Sequence, residues 1–223
     1  MSDRMVRWGG AAGIVFVVLV LFTIVIGGSP PAGDDSVDKI RDYMVDHRSA
    51  ILIGNAVGLV AVPFIIWFFV VLREMLRGDV MTNALGTSMV SGVLLTAALA
   101  LVGGSVIAAA VYVDGAVTEL GDDSVRIVFE AQSLLFAATS AGFLLMSVTA
   151  ALAIRRTGVL PMYTMWLALL AAVGSLAAIG STLDAGAATI GLFGVGTFAL
   201  FVLAAGIAMA TGKVTPSVPA VPA

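Results

Sequence analysis

The sequence predicts an all-α fold, a polytopic transmembrane bundle of six helices. Three observations predict it. Charged residues make up 11% of the 223-residue chain, against about 25% in ordinary soluble domains, which is too few to coat a water-facing surface. Mean hydropathy is +1.11. The charges also cluster, leaving uncharged runs at 8–33, 49–72, 80–113, 131–154, 157–183 and 185–212. One crossing takes roughly 20 apolar residues, so each run crosses once and none crosses twice. No stretch remains for a soluble domain. Residues 1–212 are read as one membrane domain and 213–223 as a mobile Pro-rich tail.

Charge sets the expected orientation, because cytoplasmic loops are enriched in Lys and Arg. With the N-terminus inside, the inner segments hold seven basic and three acidic residues, a net +4. The outer segments hold four basic and eleven acidic residues, a net −7. Both termini are therefore expected in the cytoplasm. Arg4 and Arg7 ahead of an apolar run also fit a signal peptide, but the run outlasts an h-region of about 7–15 residues. Ser29-Pro30-Pro31 interrupts any small-residue cleavage site. The segment is read as an uncleaved first helix.

That first helix is expected over 8–27, with Trp8 at the interface and Gly9 and Gly13 as a small-xxx-small pair that admits a close neighbour. Gly27-Gly28-Ser29-Pro30-Pro31 ends it. Next comes GDDSV at 33–37, which recurs at 121–125. Asp and Ser ahead of an apolar periodic run satisfy the free N–H groups of a new helix and favour its positive end. Both copies are therefore expected to cap helices on the outer side, with an outward divalent-cation site or a relic of duplication as the lesser readings. After the first copy, Val37, Ile40, Met44 and Ile51 fall at helical spacing, with Asp38, Lys39, Arg41, Asp42 and Asp46 opposite. This pattern predicts an amphipathic outer helix over 35–49 that lies at the interface and runs without a break into helix 2.

Helix 2, expected over 50–72, carries Gly54, Gly58, Asn55 and Pro63, and a mid-membrane proline usually kinks a helix. Arg73 and Arg77 close the inner turn. Helix 3 is expected over 84–112 and helix 4 over 126–154, joined by an acidic outer loop. Arg155-Arg156-Thr157-Gly158 and Pro161 make the next inner turn. Helices 5 and 6, over 162–182 and 187–210, are rich in Ala, Gly and Leu, so they are thin and able to pack closely.

The chain has no Cys and a single His. Disulfides, thiolate metal sites and a bis-His haem within one chain are excluded. HExxH, Walker A, GxGxxG and GxSxG patterns are absent. No catalytic residue, metal site or cofactor is expected, and no nucleic-acid partner. The ionisable candidates lie at the outer rim: Asp114, Glu130, Asp184, His47 and Arg48. If the bundle closes, they converge on one acidic vestibule; otherwise they are rim residues in water, and Arg126 and Glu130 pair at i, i+4. Asn55 and Gln132 are the notable polar residues at membrane depth. Asn55 is expected to hydrogen-bond between helices.

RWGGAAGIVFVV, IRDYMVDHRSAILIGNAVGLVAVPFIIWFFVVLREML and RRTGVLPMYTMWLALLAAVGSLAAIG together resemble a family of six-helix bacterial membrane proteins of the actinobacterial type, a domain of unknown function. The resemblance runs in order over nearly the whole chain. It implies the same topology and brings no activity. The expected protein is a non-catalytic accessory or assembly subunit of the bacterial inner membrane, or a lipid-binding bundle. Its partners would be membrane lipids and another membrane protein or a second copy. A small transporter or channel with an outward acidic vestibule is the alternative.

Overall fold

The computed structural model describes residues 1–32, 35–180 and 188–214. The described residues form α1 (Asp3–Gly27), α2 (Val37–Asp46), α3 (Arg48–Met75), α4 (Val80–Tyr112), α5 (Ala116–Glu119), α6 (Asp122–Thr157), α7 (Met162–Gly180) and α8 (Ala188–Ala210), with no strand among them. Six of these helices are long and apolar enough to cross a membrane.

The six pack as a closed ring in the order α1, α3, α4, α6, α7, α8, with α8 returning to α1. Neighbours are antiparallel. Gly9 and Gly13 of α1 lie against Val71 and Phe68 of α3, while Gly10 lies against Gly206 of α8. The starts of α1, α4 and α7 and the ends of α3, α6 and α8 therefore share one end of the bundle. That end holds Arg4, Arg7, Arg73, Arg77, Arg155, Arg156 and Lys213 and is called the basic end here. The opposite, acidic end holds α2 and α5.

Most of the core sits in the basic half. Phe68, Phe69, Leu72, Phe201 and Met209 are fully buried there, with Met146 and Met89. Phe69 stacks on Phe198 at 6.2 Å between ring centroids, and Phe143 meets Phe198 edge-on at 4.7 Å. Such aromatic pairs contribute about 0.5–1.5 kcal/mol each beyond burial. The helix seams are closed by glycine where backbones touch. A Cβ on Gly92 of α4 would stand 2.8 Å from the Gly142 carbonyl oxygen of α6. Helices in lipid have no solvent-driven attraction, so this close packing holds them.

The small-xxx-small pairs diverge. Gly9 and Gly13 admit α3, as expected. Gly54 and Gly58 continue the heptad-spaced stripe Ala61, Ile65, Phe68 and Leu72, yet a Cβ on either would meet nothing within 4 Å. In α1 no residue beyond Val17 is buried, and in α3 none before Ala61. The acidic half is instead closed by a second cluster, in which Ile40 and Met44 of α2 pack against Ile107 and Val111 of α4, Val117 of α5, and Val125 and Phe129 of α6.

Several expected boundaries shift for local reasons. α1 begins at Asp3, because Ser2 accepts from the Met5 N–H. α4 begins at Val80, because Asp79 caps it by accepting from the Thr82 N–H at 2.8 Å. α3 stays a single helix through Pro63. The amphipathic segment does not merge into helix 2. It stops at Asp46, and His47, at φ −101° and ψ 15°, forms a one-residue joint. Nor does its apolar face rest on lipid, since α4, α5 and α6 cover it.

The two GDDSV copies play different parts. In the first, Ser36 is the N-cap of α2, accepting from the Lys39 N–H, and Asp35 binds the Ala32 N–H and the Lys39 ammonium at 2.8 Å each. Those contacts, the Lys39 one foremost, hold the Asp35 carboxyl below its usual range. Gly33 and Asp34 lie outside the described residues. In the second copy the cap is Gly121, without a side-chain bond, and Asp122 and Asp123 stand inside the first turn of α6. The expected side-chain cap is replaced there by charge at the positive helix end. Asp122 is free to reach a partner on α2.

Candidate functional site

The rim charges are consumed in separate contacts. Arg48, in the first turn of α3, donates to the Val111 and Tyr112 carbonyls at 2.8 and 2.7 Å, and Asp114 lies 3.7 Å from its Nε. Those carbonyls end α4 without intrahelical partners; Arg48 satisfies them and ties α3 to α4. Glu130 pairs within its own helix with Arg126 at 2.9 Å. His47 stacks on Tyr43 at 4.6 Å, its Nδ1 3.2 Å from the Tyr43 carbonyl, and the Tyr43 hydroxyl donates to the Gly27 carbonyl at 3.1 Å. Burial raises the Tyr43 pKa. Asp184 lies outside the described residues. Two of the candidates thus meet, Arg48 and Asp114, while Glu130 is satisfied elsewhere.

The strongest contact at this end involves a residue that the charge pattern placed on the solvated face. Arg41 of α2 donates to the Val117 and Leu120 carbonyls at 2.6 and 2.9 Å and to the Asp122 carboxylate at 2.7 Å. Its side chain is only 18% exposed. Arg41 and Arg48 together latch α2 and the α2–α3 joint onto α4, α5 and α6. At the basic end, Arg156 of α6 bonds Asp79 at 2.8 Å. Asp79 also accepts from the Thr82 hydroxyl and N–H, and these bonds, with Arg156, hold its pKa down to about 2. Asp79 directly before an apolar run was a legible cap signal; its partner across the bundle was not.

Two grooves run along helix seams. The first, about 520 Å³, lies between the acidic halves of α3 and α4 and is lined by Asn55, Ala56, Ser105, Ala108, Ala109 and Tyr112 among others. On α4 these residues turn away from Gly92 and Gly103, which meet α6, so the groove opens to the outside of the ring. Asn55 packs its Oδ1 against Gly104, where a Cβ would stand 3.0 Å away. Neither it nor Ser105 makes a side-chain hydrogen bond to any described residue, so the expected interhelical bond of Asn55 is not formed among the described residues. At 1.5 Å rise per residue, Asn55 lies about 10 Å below Arg48. Gln132, half-buried on α6, likewise has no side-chain hydrogen bond among the described residues. Its backbone lies beside Gly103.

The second groove, about 410 Å³, lies between the end of α6 and the start of α7. Leu152, Arg155, Met165, Trp166 and Leu169 line it. None of the described rim candidates, His47, Arg48, Asp114 and Glu130, lines either groove. Among the described residues no group of three or more His, Asp or Glu is placed to hold a metal ion.

Six apolar spans in a closed ring define the class: this is a multi-pass α-helical membrane protein. Comparison with family models, with curated proteins and with solved structures finds no match.

Proposed function

We propose that the protein is a non-catalytic accessory or assembly subunit that receives a transmembrane helix of another membrane protein in its α3–α4 groove. The observation that carries this is the Asn55 side chain. An amide at membrane depth has no water to bond, and each unmet polar group there is costly. Asn55 and Ser105 bond no described residue and line a groove floored by Ala56, Ala108 and Ala109. Small residues let a helix backbone approach, and a polar side chain bonds across the seam. At about 10 Å below the rim, a partner helix reaches Asn55 more readily than a lipid ester does. The excess of Arg and Lys at the basic end supports placement in a bacterial cytoplasmic membrane with both termini inside.

Native mass spectrometry of the chain gently extracted from its own membranes tests this. The expected result is a stoichiometric protein partner that is lost when Ala109→Trp fills the groove. A bare chain, or a partner retained by Ala109→Trp, overturns the reading. The transporter alternative draws on the open space beside Gly54 and Gly58. It requires that Asp184→Asn changes uptake or efflux of some solute in a broad panel.

A further inference from the structure

The basic end carries a feature that the accessory reading does not use. Five of its ten charged side chains are ion-paired with one another. Glu74 lies 3.4 Å from Arg73 and 3.1 Å from Arg77, and Asp79 binds Arg156. Arg155 makes no ion pair or hydrogen bond to any described residue, and it lines the mouth of the α6–α7 groove. Below it the groove is apolar, walled by Leu152, Met165 and Leu169. Trp166, 60% exposed, forms its rim beside Tyr163, 53% exposed. Met162 to Leu169 takes the groove about 10 Å along α7, from the helix start into the span.

We infer that this groove binds one anionic phospholipid, its phosphate on the Arg155 guanidinium and an acyl chain along Leu152, Met165 and Leu169. Each part has a physical reason. A guanidinium offers a planar fork of donors that matches two phosphate oxygens. Trp166 and Tyr163 are aromatic residues at a span end, the level where lipid headgroups lie. An apolar groove continuous with that level takes an acyl chain. The surrounding excess of Arg4, Arg7 and Lys213 raises the local concentration of anionic lipid. The site is separate from the α3–α4 groove, so it stands or falls independently of the accessory reading.

The test titrates the purified full chain in a neutral detergent with phosphatidylglycerol or phosphatidylcholine of identical acyl chains, counting bound lipids by native mass spectrometry. The first phosphatidylglycerol is expected to bind about tenfold more tightly than phosphatidylcholine. Arg155→Ala should abolish that preference, and Arg155→Lys should retain part of it. Arg4→Ala, which removes another cation without a described partner at the same end, should leave most of it. Trp166→Ala should weaken both lipids alike. Because Arg155 has no described partner, Arg155→Ala should melt with the parent. Equal binding of the two lipids to the parent overturns the inference. So does a preference that survives Arg155→Ala, or one that Arg4→Ala removes as fully.

Discussion

Arg41 shows how one side chain decides what an amphipathic helix does. Two carbonyls and a carboxylate surround its guanidinium. Removing a largely buried charged donor leaves those acceptors unmet, and hydrogen bonds to charged groups are worth about 1.5–3 kcal/mol each. Arg41→Met is therefore expected to lower unfolding free energy by about 2–4 kcal/mol and to speed amide exchange in α2. Asp122 is mostly exposed, so Asp122→Asn should cost less than about 1 kcal/mol. Denaturant unfolding in detergent distinguishes the two. Asp79 gives a pH test. Its folded pKa, about 2, lies below the ordinary 3.8. Its contribution is fully present above pH 4 and is lost as pH falls through 2. The melting temperature of the parent should converge on that of Asp79→Ala over that window. If the gap between them is unchanged at pH 2, the Asp79 contacts do not stabilise the fold.

At the scale of elements, glycine marks where two backbones meet and where they do not. Gly142 of α6 sits on the Gly92 carbonyl and on Thr96 of α4. A methyl group there overpacks a backbone contact, and such insertions cost about 1–3 kcal/mol or more. Gly54 faces open space, so Gly54→Ala removes only backbone freedom and should stabilise by about 0.5–1 kcal/mol. Thermal unfolding of the two variants should move in opposite directions. The four-residue glycine spacing is the same in α1, at Gly9 and Gly13, as in α3, at Gly54 and Gly58, and only the neighbours differ. The same limit applies to α2. Its 3.6-residue period was legible at Val37, Ile40 and Met44. The surface those residues cover was not, because interfacial lipid and the ends of α4 and α6 present the same apolar demand.

For the whole molecule, the ring places both termini of the described chain at the basic end. The absence of Cys makes single-cysteine labelling direct. Cysteines at Thr118 and Asp114 should react with an impermeant maleimide from one side of the membrane, and cysteines at Arg77 and Thr157 from the other. If 77 and 118 label from the same side, α4 does not cross the membrane and the division into two ends is wrong. The positive-inside bias further expects 118 to be the side accessible in intact cells.

Six spans, their approximate limits and the division into a basic and an acidic end were all determined by the sequence itself. Hydropathy acts over runs of about 20 residues, and charge cannot enter lipid, so neither depends on which helix lies next to which. What the rim residues do was decided only by the tertiary structure. Asp114 and Arg48 lie far apart in sequence and meet because α3 and α4 are neighbours in the ring. Asp122 meets Arg41 because α2 folds over the ends of α4 and α6. Glu130, by contrast, found its partner one turn away, as helical spacing predicted. The grooves belong to the same tertiary level, for Asn55 and Arg155 become sites only where two helix faces diverge, and a linear pattern of polar residues in an apolar run carries no information about that gap.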